Sequence, residues 1–273
     1  MQKPESFYKK HPVHAGTFYP SSGQEIMDMF EAWVPERKPI PGLRGLILPH
    51  AGYAYSGHVA ARGYAAIPTG IKRVLLLGPS HHYPVRGILV WDEGSWETPL
   101  GEVQVSRDSA VSLLKADIFQ ADPRPFIPEH SLEVQMPFIK HFMPQAAVVP
   151  MIAGDLNSHG LEEAADAIRQ LLDGETIMIA SSDFYHGHSY EECLAQDKET
   201  ISLIKRMNGK EFLSAARQMR VMACGDMAIA VLIETVAGLP GCAVDVLMQT
   251  NSADVISSCG YIVGYAAVAL TAR

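Results

Sequence analysis

Residues 43–50 read Leu-Arg-Gly-Leu-Ile-Leu-Pro-His, residues 74–82 read Val-Leu-Leu-Leu-Gly-Pro-Ser-His-His, and residues 176–186 read Thr-Ile-Met-Ile-Ala-Ser-Ser-Asp-Phe-Tyr-His. In each, a short apolar run stops at Pro, Gly or Ser and then delivers a histidine. Runs this short and this continuously apolar suit strands covered on both faces, and Ala147–Ile152 is a fourth of the same kind. Helical patterns over Gly57–Ala66, Arg107–Lys115 and Leu161–Leu172 fall between them. The alternation predicts an α/β fold with a mostly parallel sheet flanked by helices on both faces. Ligand crevices of such sheets lie beyond the carboxyl ends of the strands. Three histidine-bearing loops, distant in sequence, are therefore predicted to meet there.

Working outward, a helix is expected at Gln24–Val34, followed by the linker Pro35–Gly42. Further helices are expected at Tyr190–Met207, Lys210–Gln218 and Asp226–Ala237, and strands at Ala243–Gln249 and Tyr261–Leu270. The stretch Ile88–Val105, with Trp91, Trp96 and Pro99, reads as short strands and turns. The linker is too short and too early to divide the chain, so residues 1–273 read as a single domain. Strand order does not follow from the sequence.

At 273 residues and 48% hydrophobic content, the chain can bury a large core without disulfides or a structural metal, so any metal would serve function. A net charge of −8 with no run of Lys or Arg argues against a nucleic-acid surface. No segment is long and apolar enough to span a bilayer, and Met1–Phe7 is too polar for a secretory leader. Cys193, Cys224, Cys242 and Cys259 are scattered without a C-x-x-C pair and read as reduced thiols. A cytoplasmic location is the corresponding expectation.

Cys224 stands just before the apolar helical pattern Asp226–Ala237. The positive end of a helix dipole favours thiolate, the metal-binding form. Two imidazoles with one thiolate suit zinc, iron or copper and are too soft for magnesium or calcium. Three protein ligands would leave open positions for water, oxygen or substrate. Each residue also has a plain structural alternative. A histidine after a strand can bond a backbone carbonyl, and a lone cysteine is commonly a small buried group. His82 is open between orienting its neighbour and facing solvent. Asp183 is open between fixing an imidazole tautomer and capping a turn. Tyr53 and Tyr55 are open between lining a cleft and packing. His58, His159 and His188 read as structural or surface residues.

The strings His14-Ala-Gly-Thr-Phe-Tyr-Pro20, Pro49-His-Ala-Gly-Tyr53-x-Tyr55-Ser-Gly57, Gly78-Pro-Ser-His-His82, Glu129-His-Ser-Leu-Glu133, Ser181-Ser-Asp-Phe-x-His186, Cys224-Gly225 and Gly264-Tyr-Ala-Ala267 together resemble the Memo family, in order and over nearly the whole chain. Prokaryotic members are called the B component of the AmmeMemoRadiSam system. The resemblance therefore implies an AMMECR1-like protein and a radical-SAM protein as partners. It also implies a fold similar to that of class III extradiol ring-cleaving dioxygenases, which hold non-heme Fe(II). By this resemblance His50, His81 and Cys224 are the metal ligands, with Cys224 where the dioxygenases place a carboxylate. His186 corresponds to their acid/base histidine, and Glu129 and His130 are placed near the site, where they would move protons or form a structural pair; Asp183, three positions before His186, is a further candidate. Fe(II) is the favoured metal, with copper or zinc as alternatives. A thiolate lowers Lewis acidity and is open to oxidation, so ring cleavage itself does not carry over. The expectation is a metal-dependent oxidoreductase of unstated substrate. The alternatives are an accessory binding protein working with the radical-SAM partner and a zinc hydrolase.

Overall fold

The structure, a computed structural model, describes residues 8–34, 36–256 and 260–273. Met1–Phe7, Pro35 and Cys259 lie outside them. In chain order the elements begin with β1 (Lys9–Lys10), α1 (Gly23–Trp33), β2 (Leu43–Leu48), α2 (His58–Ala65) and β3 (Arg73–Gly78). There follow β4 (Ile88–Val90), β5 (Ser95–Thr98), β6 (Gly101–Gln104), α3 (Arg107–Leu113) and β7 (Phe119–Ala121). Next come α4 (His130–Glu133), α5 (Met136–Phe142), β8 (Ala147–Ala153), α6 (Ser158–Arg169) and β9 (Thr176–Ser181). The chain ends with β10 (His186–Gly187), α7 (Tyr190–Lys205), α8 (Gly209–Arg217), α9 (Asp226–Ala237), β11 (Ala243–Asn251), α10 (Ser252–Val255) and β12 (Ile262–Thr271).

Among the described residues, the main sheet runs β10-β12-β2-β9-β3-β8-β4-β7, with β11 paired to β12. Its centre, β2-β9-β3-β8, is parallel throughout. Antiparallel pairings enter on either side, at β12 against β2 and at β4 against β8. The sheet as a whole is thus mixed around the parallel core that the apolar runs foretell. A small second sheet, β1-β5-β6, is built from the tryptophan-bearing stretch and the amino-terminal segment.

Both faces of the core are covered. Ile47, Leu75, Leu77, Met151 and Met178 pack on one side with residues of α3, α6, α7, α8 and α9. Their neighbours Leu46, Leu48, Leu76, Ile152 and Ile179 pack on the other with α1, α2, α4, α5 and the small sheet. Successive strand residues point to opposite faces, so a strand buried on both must be apolar at every position. α9 is apolar nearly all round and is buried accordingly. No described helix is long and apolar enough to cross a membrane.

The amino-terminal segment is fastened by one carboxylate. Glu133 at the end of α4 is 1% exposed. It accepts hydrogen bonds from Lys10 Nζ at 2.5 Å, Val13 N at 3.2 Å, His14 N at 2.7 Å and the Tyr19 hydroxyl at 2.8 Å. A buried carboxylate is tolerable only when paired and multiply hydrogen-bonded, and Glu133 is both. Replacing it strands a buried ammonium and three further donors. Glu133→Ala is expected to cost about 3 kcal/mol or more, read as a lower urea midpoint, while Lys9→Ala at the exposed neighbouring pairs should change little.

Candidate metal centre

Three imidazoles meet at the carboxyl end of the parallel core. His50 follows β2, His81 follows β3, and His130 opens α4, which packs against the end of β3. One ring nitrogen from each lies within 4.8 Å of the others. The ring centroids of His81 and His130 are 4.5 Å apart and stacked, and that of His50 stands 5.3 and 5.4 Å from them. Two glycines permit this approach. A Cβ on Gly78 would stand 2.9 Å from Leu132 Cδ2 and from Ser131 Oγ, both on α4. A Cβ on Gly225 would stand 2.6 Å from the carbonyl oxygen of Ser181, blocking the start of α9 from the end of β9.

The orientation of each ring is fixed from behind. The Ser181 hydroxyl donates to the Ser131 carbonyl at 2.7 Å and accepts from Gln135 Nε2 at 3.0 Å. Its proton is thereby committed, so toward His50 Nδ1, at 3.0 Å, it can only accept. His50 therefore carries its proton on Nδ1, and its unprotonated Nε2 faces the sulfur of Cys224. Glu129 does the same for His81. Its carboxylate accepts from His81 N at 2.7 Å, His81 Nδ1 at 2.8 Å and Ser131 N at 2.9 Å. Burial alone would raise the Glu129 carboxyl, but the bonds from His81 outweigh it and hold the group well below the usual range. Burial, reinforced by neighbouring imidazoles, lowers both His50 and His130 to about 3, so both are neutral near pH 7. Neutral imidazole is the form that donates a lone pair to a cation.

Cys224 comes to the same place from the start of α9. Its Sγ is 3.2 Å from His50 Nε2 and accepts from Asp183 N at 3.3 Å. It is a neighbour of His50, while the mutually close donors are those of the three histidines. Burial and the Asp183 carboxylate push the Cys224 thiol up. Without a cation beside it, this sulfur is held as the thiol, so the thiolate expected at the start of α9 calls for a bound cation.

Asp183 does not cap its own turn. Its Oδ1 accepts from the backbone N–H of His50 at 2.8 Å and of Ala51 at 3.3 Å, tying the β9 loop to the β2 loop. Its Oδ2 stands 4.0 Å from His50 Nε2, and burial raises its pKa. His186 sits at the start of β10, with Nδ1 donating to the Phe184 carbonyl at 3.0 Å and, among the described residues, no hydrogen bond at Nε2. Phe18 lies over His130 at 4.5 Å between centroids, and His14 bonds the Pro128 carbonyl. Tyr53 is buried, with its hydroxyl on the Val134 carbonyl, whereas Tyr55 is exposed. His82, His159 and His188 are exposed. Cys193, Cys224 and Cys242 are free thiols. Sequence reasoning missed Ser181, Gln135 and Phe18 as parts of the site. The signal for Gln135 was available, since it is a lone amide in the apolar run Val134-Gln-Met-Pro-Phe138.

A family model described as Memo-like protein matches residues 10–269. The chain belongs to the Memo-like family. A MEMO1 family protein of Aeropyrum pernix is 32% identical over 277 aligned residues, covering 95% of this chain and 98% of that protein. MEMO1 family proteins of Nitrosopumilus maritimus and Thermotoga neapolitana are 31% and 30% identical at similar coverage, 95% and 96% of this chain and 98% and 99% of theirs. The crystal structure of the uncharacterized protein JW3007 from Escherichia coli K12 shares the fold, with a TM-score of 0.53 at 12% identity over 83% of this chain and 99% of that one.

The Memo loop 183–186 is supported from below by Asp197, whose Oδ1 accepts from Tyr185 N at 3.0 Å. Burial raises this carboxyl from an ordinary 3.8 to about 6. The folded state then binds the proton more tightly than the unfolded chain, so its contribution to stability is present below the lower value and lost as pH rises through the upper one. Between pH 3.8 and about 6 this residue is expected to give a falling stability, and Asp197→Asn should flatten that slope in thermal melts across the range.

Proposed function

We propose that this Memo-like chain holds one divalent transition metal between His50, His81 and Cys224, Fe(II) first and copper or zinc as alternatives, and acts as an oxidoreductase on a substrate brought beside it. The observation that carries this reading is the pair of locked imidazoles. His50 is held by Ser181 and His81 by Glu129, each through Nδ1, so both keep Nε2 for a cation. Orientation of ligating histidines through the other ring nitrogen is the usual companion of metal binding. Cys224 fits the same ion. Donors bonded at about 2.1 and 2.3 Å stand about 3.1 to 3.6 Å apart for angles between a right angle and tetrahedral, and Cys224 Sγ to His50 Nε2 is 3.2 Å. The donor types suit iron, copper and zinc over magnesium and calcium.

Such an ion, when bound, supplies Lewis acidity and, if iron or copper, redox capacity. The remaining work belongs to side chains. His186 holds or accepts a proton at Nε2, which its bond to Phe184 leaves free. His130, kept neutral, presents a lone pair beside His81, with Phe18 packed over its ring. Asp183 keeps the loops of His50 and Cys224 in register through Oδ1 and its own N–H. A second reading, with His130 as third ligand in place of Cys224, is favoured by the close grouping of the three histidines. The AMMECR1-like and radical-SAM partners are proposed on family resemblance, with co-purification of either as their test.

Tag-free protein purified anaerobically is expected to carry one metal per chain and to consume O₂ when given a reductant. Cys224→Ser should lower metal retention and His130→Ala should leave it largely intact; the reverse order would establish the three-histidine set. Turnover with zinc in the absence of oxygen would replace the redox reading by hydrolysis. Glu129→Gln, which removes the charge fixing His81, is expected to weaken metal affinity roughly 10- to 100-fold in chelator competition.

A further inference from the structure

A cavity of about 340 Å³ opens beside Cys224, at the carboxyl ends of β3 and β8 and the amino end of α9. Much of its wall is apolar, with Pro84, Val85, Leu213 and Met227 among the lining residues. Three charged side chains face it: Asp155, Arg217 and Asp226. Arg217 is already engaged, donating through one nitrogen to Asp155 Oδ1 at 3.2 Å and to the Leu156 carbonyl at 2.6 Å. Asp226 accepts from Met227 N at 2.6 Å through Oδ1. Among the described residues, no hydrogen bond reaches its Oδ2 and no cationic side chain lies within 4.0 Å. With Arg217 paired to Asp155, Asp226 is the lining carboxyl group without an ion pair among the described residues. The α9 dipole amounts to about half a positive charge and offsets only part of that group's charge.

We propose that this cavity is the substrate pocket and that it selects a small molecule bearing a primary amine, whose ammonium docks on Asp226 while its apolar body reaches toward Cys224. The proposal rests on the metal reading for which end of the molecule reacts, and on the cavity alone for what binds. An ammonium brings three donors and no acceptor, matching a carboxylate oxygen with no partner. The volume lies at the lower end for ligand pockets and suits a small molecule. The chain's net charge of −8 draws cations toward it. The competing account makes Asp226 only an acid in the first turn of α9, and it expects no amine to bind.

Benzylamine and benzoate serve as probes by isothermal titration, against wild type, Asp226→Asn and Arg217→Gln, each as purified and after chelation, with metal measured on the same samples. Benzylamine is expected to bind wild type, to bind Asp226→Asn at least about tenfold more weakly, and to bind Arg217→Gln no more weakly than wild type. Benzoate is expected not to bind. Preference for benzoate, equal benzylamine affinity in Asp226→Asn, weaker binding in Arg217→Gln, or no benzylamine binding up to about 10 mM would overturn the proposal. Should Asp226→Asn fail to fold, the two probes on wild type and Arg217→Gln still decide it. Amine binding by protein that takes up no metal would remove the metal reading and leave the pocket standing. Full metal loading without amine binding would remove only the pocket.

Discussion

The buried carboxylate of Glu129 is the contact on which the rest of the centre depends. It caps α4 through Ser131 N, holds the His81 loop by backbone and ring, and so joins the end of β3 to the four-residue helix α4. From the same four-residue helix, the Ser131 carbonyl takes the Ser181 hydroxyl that sets the tautomer of His50. At its far end, Glu133 gathers the amino-terminal segment that carries Phe18 and His14 over His130. A helix this short has no stability of its own. Its place is secured by charge-assisted hydrogen bonds at both ends and by Leu132 in the core.

The electrostatics follow from that arrangement. Two carboxylates are buried at the cost of desolvation, and both recover it through several N–H or O–H donors each. For the imidazoles, burial and mutual repulsion outweigh the attraction of Glu129 and keep His50 and His130 neutral. His50 and His81 each have Nδ1 engaged from behind, and the unprotonated Nε2 of His50 faces the Cys224 thiol at 3.2 Å. Cys224, raised by burial and Asp183, lacks a cationic neighbour that would ionise it. The site as a whole is arranged for a positive charge that the protein's own side chains do not supply.

Much of the fold could be read from the chain because the four core strands are apolar on both faces, which leaves an uninterrupted signal. β2 was located to the residue, and β3, β8 and β9 to within one. α9 was equally plain, being apolar throughout between Gly225 and Gly238. The hinge of the site was not legible. α4 is too short to show a period, begins on Glu129 rather than a usual capping residue, and is followed after two residues by α5, whose first turn holds Pro137. Two-residue strands such as β1 and β10 leave no pattern either. The motif histidines were visible as residues, but the Ser181–Gln135 network that orients His50 depends on contacts between β9 and α5 that no local pattern encodes.

X-ray absorption at the metal edge, on protein purified anaerobically with its metal in place, tests the central claim most directly. The account predicts a nitrogen shell with the outer-ring scattering of imidazoles and one sulfur at about 2.3 Å, the sulfur disappearing in Cys224→Ser. A shell of nitrogen and oxygen alone, unchanged by that substitution, would contradict it.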